Sequence, residues 1–255
     1  VSHSLSTTDL FDRLTAINTN RSDNLLVLED VALDPEELFA LCGSGPISVL
    51  PSSDGLLSVV QEDYSSVDFN HHGRGFDFHT DGLYYDLIPD FVVLYCVNAG
   101  TQSTLTTFAD TRPVALKIDQ DEALAALRRS ETVYVGSNGV DYAQPLVAKH
   151  PRTGESVLHI TARGFIRPRV SEGSIAKMGS LREFIDAQKE LFRLLNDSVI
   201  SRHKWKTKQL VVFDNFSFIH AREVVGPDPN RRLYRIWLCL RKEEKRFNRK
   251  LSRTA

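Results

Sequence analysis

Short apolar runs are spread along the whole chain, and they do not alternate with helices. Leu25–Leu28, Phe76–Asp81, Phe91–Asn98, Thr132–Gly136, Val157–Thr161, Leu210–Asp214 and Arg231–Leu240 each read as a strand. Helical signals are fewer. Leu10, Phe11, Leu14 and Ile17 recur at helical spacing within Ser6–Ile17, and Asp34-Pro35-Glu36-Glu37 opens a second helix with a capping Asp and Pro at the first position. A third is expected over Asp119–Arg129. A fourth runs from Leu181 to about Val199, with Ser180 and Glu183 as a capping box and Phe184, Ile185, Leu191, Leu194 and Leu195 along one side. A doubly wound parallel sheet needs strand and helix to alternate, so that class is excluded. The pattern predicts a mainly β fold with helical decoration, a sandwich or jelly roll.

With 255 residues, 42% of them hydrophobic and 25% charged, the chain can bury a sizeable core and is neither a disordered nor a disulfide-scaffold sequence. Without an internal repeat or a Gly/Ser-rich linker, one domain is expected over residues 1–255. The longest apolar run, Phe91–Val97, falls short of the ~18 residues of a membrane helix, and Val1–Ser6 has no basic start or apolar stretch, so a cytoplasmic protein is expected. A net charge of −2 gives no general footprint for nucleic acid, although the tail 241–255 holds seven Lys/Arg against two Glu. Such a tail can grip phosphate but is more often a solvated end. Cys42, Cys96 and Cys239 form no C-x-x-C pair, and buried free thiols are expected.

Three segments carry chemistry. In a strand over Phe76–Asp81, alternation would put His79 and Asp81 on one face, where an imidazole and a carboxylate can grip one side of a metal ion. Alone this is weak: with 8 His and 33 acids, about one H-x-[DE] arises by chance. Leu210–Asp214 leads into Asn215 and then His220, which could complete a set of two imidazoles and one carboxylate. Such a set leaves three cis positions of an octahedron open and characterises non-haem iron(II) oxygen chemistry. Third, Arg231, Leu233, Arg235 and Trp237 share one face of an apolar strand, where each guanidinium needs an anion. The plainer alternatives are a surface His beside a solvated acid, a hydrogen-bonded core His, and arginines on a solvent face or paired with internal acids.

Together, in this order and spacing, the segments resemble the iron(II)/2-oxoglutarate-dependent oxygenases of the taurine dioxygenase and clavaminate synthase-like group. His79-Thr80-Asp81 stands as the H-x-[DE] motif, Asp214-Asn215-x4-His220-x-Arg222 as the distal histidine block, and Arg231-x-Leu233-x-Arg235 as the paired arginines. Pro89–Val97 and the segment from Gly100 to Asp110 resemble the strand and threonine stretch between them. The resemblance covers Phe76–Leu240. It implies a double-stranded β-helix (jelly-roll) core, with iron(II) on His79, Asp81 and His220. It also implies that 2-oxoglutarate is held by Arg231 with help from a threonine, Thr106 by its lead-in to Phe-Ala-Asp or else Thr104, and that dioxygen is the further co-substrate. Halogenases of this group have a small residue in place of the carboxylate, so Asp81 favours oxygenation.

The substrate is less legible. In relatives the second arginine often meets an acidic group, so Arg235 suggests a small carboxylate or amino acid, hydroxylated or desaturated. His72, in the loop His71–Gly75, and Tyr84 and Tyr85 could line the pocket; surface exposure and core packing are the alternatives. A demethylase anchored to nucleic acid or protein by the basic tail, a metal-binding jelly roll without turnover, and zinc hydrolysis are the competing functions, and the last leaves both arginines without a purpose. Asp81→Ala is expected to abolish substrate oxidation; turnover at the parental rate in that variant would contradict the ligand role.

Overall fold

In a computed structural model of the chain, the described residues are 12–13, 25–43, 47–52, 55–61, 75–85, 87–101, 104–135, 140–161, 164–168, 181–223, 228, 230–240 and 250–252. The strands, in chain order, are β1 (Leu25–Leu28), β2 (Ile47–Leu50), β3 (Ser58–Gln61), β4 (Phe76–His79), β5 (Phe91–Asn98), β6 (Leu105–Asp110), β7 (Ser130–Val135), β8 (Val140–Pro145), β9 (Val147–Lys149), β10 (Ser156–Leu158), β11 (Gly164–Pro168), β12 (Val199–Lys204), β13 (Leu210–Asp214), β14 (Phe218–Arg222), β15 (Arg232–Leu240) and β16 (Lys250–Ser252). The helices are α1 (Pro35–Cys42), α2 (Thr111–Gln120), α3 (Ala125–Arg128) and α4 (Leu181–Asp197). The major sheet has the order β1-β13-β5-β15-β2, with β3 also on β15; the minor sheet has the order β12-β6-β14-β4. From β4 to β6, and again from β12 to β15, successive strands pass from one sheet to the other, which winds the chain into the double-stranded β-helix.

The central strands of the major sheet are buried on both faces, and their period of two sorts residues between two cores. Phe91, Val93 and Tyr95 of β5, Leu210 and Val212 of β13, and Ile236 and Leu238 of β15 pack under α1. Their neighbours Val92, Leu94, Val211, Phe213, Leu233 and Trp237 face inward, against Phe108 and Phe218 of the minor sheet. The odd-numbered face of β15 that bears Arg235 is therefore the face between the sheets. The outer face of the minor sheet, through Ala109 and Ile219, is covered by α2, α3 and α4.

The helices follow local chemistry, with three departures from expectation. Asp34 caps α1 in a reciprocal box with Glu37, each side chain accepting the other's backbone N–H at 2.8 and 2.9 Å. The helix expected over Asp119–Arg129 is two: α2 starts at Thr111 on an Asp110 cap, and Asp121 caps a new turn leading into α3 by accepting from Ala123 N. On α4 the buried stripe is Phe184, Ala187, Leu191 and Leu195, while Ile185, a full 100° step from Phe184, is 42% exposed. The tail expected to be a solvated end carries β16, paired with β8. The three cysteines are buried and free, and burial alone pushes the Cys42 thiol up to about 12. Among the described residues no helix is long and apolar enough to cross a membrane. The helix expected over Ser6–Ile17, apart from residues 12–13, and the Ser180 cap lie outside the described residues.

A buried ionic cluster locks the far end of β13. Asp214 Oδ1 accepts from the N–H groups of Phe216 and Ser217, shaping the turn into β14. Its Oδ2 accepts from His150 Nε2 at 2.9 Å and from Arg152 at 2.6 Å. His150 Nδ1 accepts two backbone N–H groups, from Arg152 and Thr153, so its proton is on Nε2 and the ring is neutral. Arg152 also pairs with Asp90, whose other oxygen accepts from Leu240 N. Burial works to raise the Asp214 pKa, but the His150 hydrogen bond and the Arg152 charge outweigh it and bring it to about 2. Because that value is depressed from 3.8, the Asp214 contribution is complete above 3.8 and is lost as the pH falls toward about 2. Asp214→Asn is expected to destabilise the fold by about 3 kcal/mol at neutral pH, by leaving Arg152 short of an anion. In denaturant melts taken down to about pH 3, the gap to the parent should narrow.

Candidate active site

Two strand pairings and one turn assemble the three metal-ligand candidates. β14 lies against β4 with His220 directly opposite His79, and the ring centroids are 4.1 Å apart. Asp81 arrives differently from the alternation argument: β4 ends at His79, and Asp81 opens a turn with Gly82 at φ +76°. A side chain at Gly82 would put Cβ 2.5 Å from Pro89 Cδ, so only glycine turns the chain here. Asn215 then grips the Asp81 backbone with both ends of its amide. Oδ1 accepts from Asp81 N at 2.9 Å, while Nδ2 donates to Asp81 O and Pro89 O, each at 3.0 Å. One ligand atom from each of His79, Asp81 and His220 lies within 4.8 Å of the others.

The protonation states fit a cation. His79 Nδ1 lies 2.9 Å from Asp77 O, which can only accept, so Nδ1 carries the proton and Nε2 presents its lone pair. That Nε2 is 3.4 Å from Asp81 Oδ1. Two lone pairs this close repel unless a proton or a metal ion is shared between them. The His220 ring is pushed down to about 3 by burial and then by the neighbouring His79, so it is neutral at neutral pH; its Nδ1 is buried without a hydrogen-bond partner among the described residues. Burial also works to raise Asp81, which is 2% exposed. The Arg235 charge and the contact with His79 overcome it and hold the carboxyl well below the ordinary carboxylate range. Two imidazoles and one ionised carboxylate are the donor set that suits iron(II).

A cavity runs between the sheets from His79 and His220 to Arg231, with Thr106, Leu233 and Arg235 on its walls. Arg231 is 1% exposed, and its N–H is held by Asp228 O at 3.1 Å. The Asp228 carboxylate accepts from Thr101 N and lies so close to Gly100 (φ +75°) that a Cβ there would sit 2.2 Å from it. Of the two threonines, Thr106 lines the cavity. Its hydroxyl accepts the Trp205 indole N–H at 2.9 Å, leaving its own proton to donate. Thr104 is buried, its hydroxyl without a hydrogen-bond partner among the described residues.

Of the substrate candidates, Arg235 lines the same cavity. Arg235 NH1 is 3.5 Å from Asp81 Oδ1, and its guanidinium lies 5.1 Å from the Trp237 ring. Asp81 Oδ2 accepts from Trp237 Nε1 at 2.9 Å. Tyr85 meets Trp237 edge-on at 5.0 Å, Tyr84 lies 4.9 Å from Tyr85, and Tyr84 stacks on Tyr134 at 4.4 Å. A row of aromatic rings thus leads outward from the carboxylate. His72 lies outside the described residues. The roles of Asn215, Trp205 and Trp237 toward the site escaped sequence reasoning. The one available signal was a polar Asn directly after an unbroken apolar strand, a position that demands partners.

The chain is similar to several known proteins. The family model described as taurine catabolism dioxygenase TauD, TfdA family, matches residues 4–237. Tyrosine isonitrile desaturase of Pseudomonas aeruginosa is 29% identical over 235 residues, 85% of this chain and 77% of that protein. Among solved structures, PvcB, an Fe, alpha-ketoglutarate-dependent oxygenase from an isonitrile synthetic pathway, superposes with a TM-score of 0.68 at 24% identity, covering 93% of this chain and 84% of that one. Asparagine oxygenase, in complex with Fe(II), 3-hydroxyasparagine and succinate, has a TM-score of 0.69 at 19% identity over 92% of this chain and 80% of that one.

Asn215→Asp would face two carbonyl oxygens with an acceptor and release the Asp81 backbone. Iron(II) affinity, measured by competition with a chelator, is expected to fall about 10–100-fold, the usual effect of losing a partner that orients a ligand. Parental affinity would show that Asp81 is placed without Asn215.

Proposed function

The chain belongs to the taurine catabolism dioxygenase TauD/TfdA family, and from that premise we propose which of its residues do the work and on what kind of substrate. It is an iron(II)- and 2-oxoglutarate-dependent dioxygenase. His79, Asp81 and His220 hold the iron, Arg231 and Thr106 hold 2-oxoglutarate, and the substrate is a small aromatic amino-acid derivative bearing a carboxylate. The observation that carries this reading is the cavity itself, whose walls bring together two imidazoles, His79 and His220, and the buried Arg231 guanidinium. Iron held there, with 2-oxoglutarate and dioxygen, would supply a strong oxidant, with succinate and carbon dioxide as the by-products.

The chain's own residues make that chemistry possible. Asp77 fixes the His79 tautomer so that Nε2 faces the metal position. Arg231, buried and unable to lose its charge, pairs with the distal carboxylate of 2-oxoglutarate through its fork of donors. Thr106 adds a second donor to the same carboxylate, because Trp205 occupies one acceptor side of its hydroxyl. Leu94, Leu233 and Phe76 line the same cavity and exclude water from around these charges. Arg235 stabilises the ionised Asp81 and faces the cavity, where it can also meet a substrate carboxylate.

An aromatic substrate is supported by the likeness to tyrosine isonitrile desaturase. Desaturation is the favoured outcome on that likeness, with hydroxylation the second. The test incubates the iron(II)-loaded protein with 2-oxoglutarate, dioxygen and tyrosine isonitrile, alongside free aromatic amino acids and asparagine. The expected result is succinate formed in step with a product that has lost two hydrogens; a product that has gained one oxygen supports hydroxylation instead. Succinate formation indifferent to every amino-acid derivative, but raised by a methylated peptide or nucleic acid, would overturn the substrate class.

A further inference from the structure

A carboxylate can bind a metal through one oxygen or through both, and the choice decides how many positions stay open. Two imidazoles and a one-oxygen carboxylate leave three. Two-oxygen binding leaves two, which 2-oxoglutarate would fill. In this chain the two Asp81 oxygens are not equivalent. Oδ1 faces His79 Nε2 at 3.4 Å and Arg235 at 3.5 Å. Oδ2 is turned away from the imidazole and accepts the Trp237 indole N–H at 2.9 Å. An indole nitrogen only donates, so it engages an oxygen lone pair and offers nothing to a metal.

The donor is also held in place. Trp237 is 2% exposed on β15, in register with Val92 of β5 and Leu50 of β2. Its ring meets Tyr85 edge-on and carries the Arg235 guanidinium over one face. With backbone, edge and face all fixed, the N–H cannot follow Oδ2 if the carboxylate rotates. At the other end, Asn215 pins the Asp81 backbone, so the carboxylate is defined at both its root and its tip.

We propose that Trp237 is a positioning residue that restrains Asp81 to bind iron through Oδ1 alone, and so keeps a coordination position for dioxygen beside 2-oxoglutarate. The inference rests on the iron and 2-oxoglutarate sites assigned above.

The test replaces Trp237 site-specifically by 3-benzothienylalanine, which keeps the bicyclic shape and puts sulfur where the N–H was, and in parallel makes Trp237→Phe. The anaerobic iron(II)–2-oxoglutarate complex is titrated with nitric oxide, a stand-in for dioxygen, and followed by the electron paramagnetic resonance of the nitrosyl adduct. Both variants are expected to bind iron(II) at least as tightly as the parent, but nitric oxide about tenfold more weakly, which corresponds to about 1.4 kcal/mol. Parental nitric oxide affinity in the benzothienylalanine protein would overturn the proposal. So would weakening confined to Trp237→Phe, which would mark a role in packing alone. A parent protein that forms no iron(II)–2-oxoglutarate complex would instead defeat the assigned cofactor sites, and the absence would be seen before any variant is compared.

Discussion

An ionised carboxylate 2% exposed to solvent is unstable unless its surroundings replace the water it has lost. At Asp81 every neighbouring group can be understood as part of that replacement. Arg235 supplies the opposing charge, Trp237 donates to one oxygen, and the His79 and His220 rings flank the other. Asn215 fixes the backbone from which the side chain springs. His79 Nε2 stands 3.4 Å from Asp81 Oδ1, close enough for a shared cation, and the double-stranded β-helix holds the two in register.

The scaffold does so by using both faces of its central strands. On β5, β13 and β15 one set of alternate residues is committed to the core beneath α1, which anchors the sheet. The other set lies between the sheets, and there β15 presents Arg235 and Trp237, with Arg231 just before the strand. The buried cluster of Asp214, His150, Arg152 and Asp90 closes the end of the barrel where β13 turns toward β14. Through that turn the cluster supports Asn215, and through Asn215 it supports Asp81. The buried cluster and the support of the proposed metal site therefore share one short stretch of chain.

Much of this was legible from residues alone, for identifiable reasons. Period-two alternation in Arg231–Leu240 is seen from Leu233 onward, where Leu233, Arg235 and Trp237 face between the sheets; between Arg232 and Leu233 the pairing with β5 shifts register. Leu25–Leu28, Phe91–Asn98 and Leu210–Asp214 were readable to the residue, since apolar runs in a buried sheet have sharp polar ends. Polar strands such as β6 and β12 were not, because their period is diluted by Thr, Ser, His and Lys. The pairing of His79 with Asp81 was correct in outcome and mistaken in cause, a turn at Gly82 doing what strand alternation was expected to do. Asn215, Trp205 and Trp237 meet their site partners across 134, 99 and 156 residues, and no local pattern encodes contacts of that span.

The central claim is that one cavity holds iron through His79, Asp81 and His220 and 2-oxoglutarate through Arg231. The most direct test is an anaerobic titration of the metal-free protein with iron(II) and then 2-oxoglutarate, followed by visible absorption. The account predicts a weak charge-transfer band that needs both additions, disappears in His220→Ala, and requires far more 2-oxoglutarate in Arg231→Ala. Metal binding without any such band, or a band indifferent to Arg231→Ala, would contradict it.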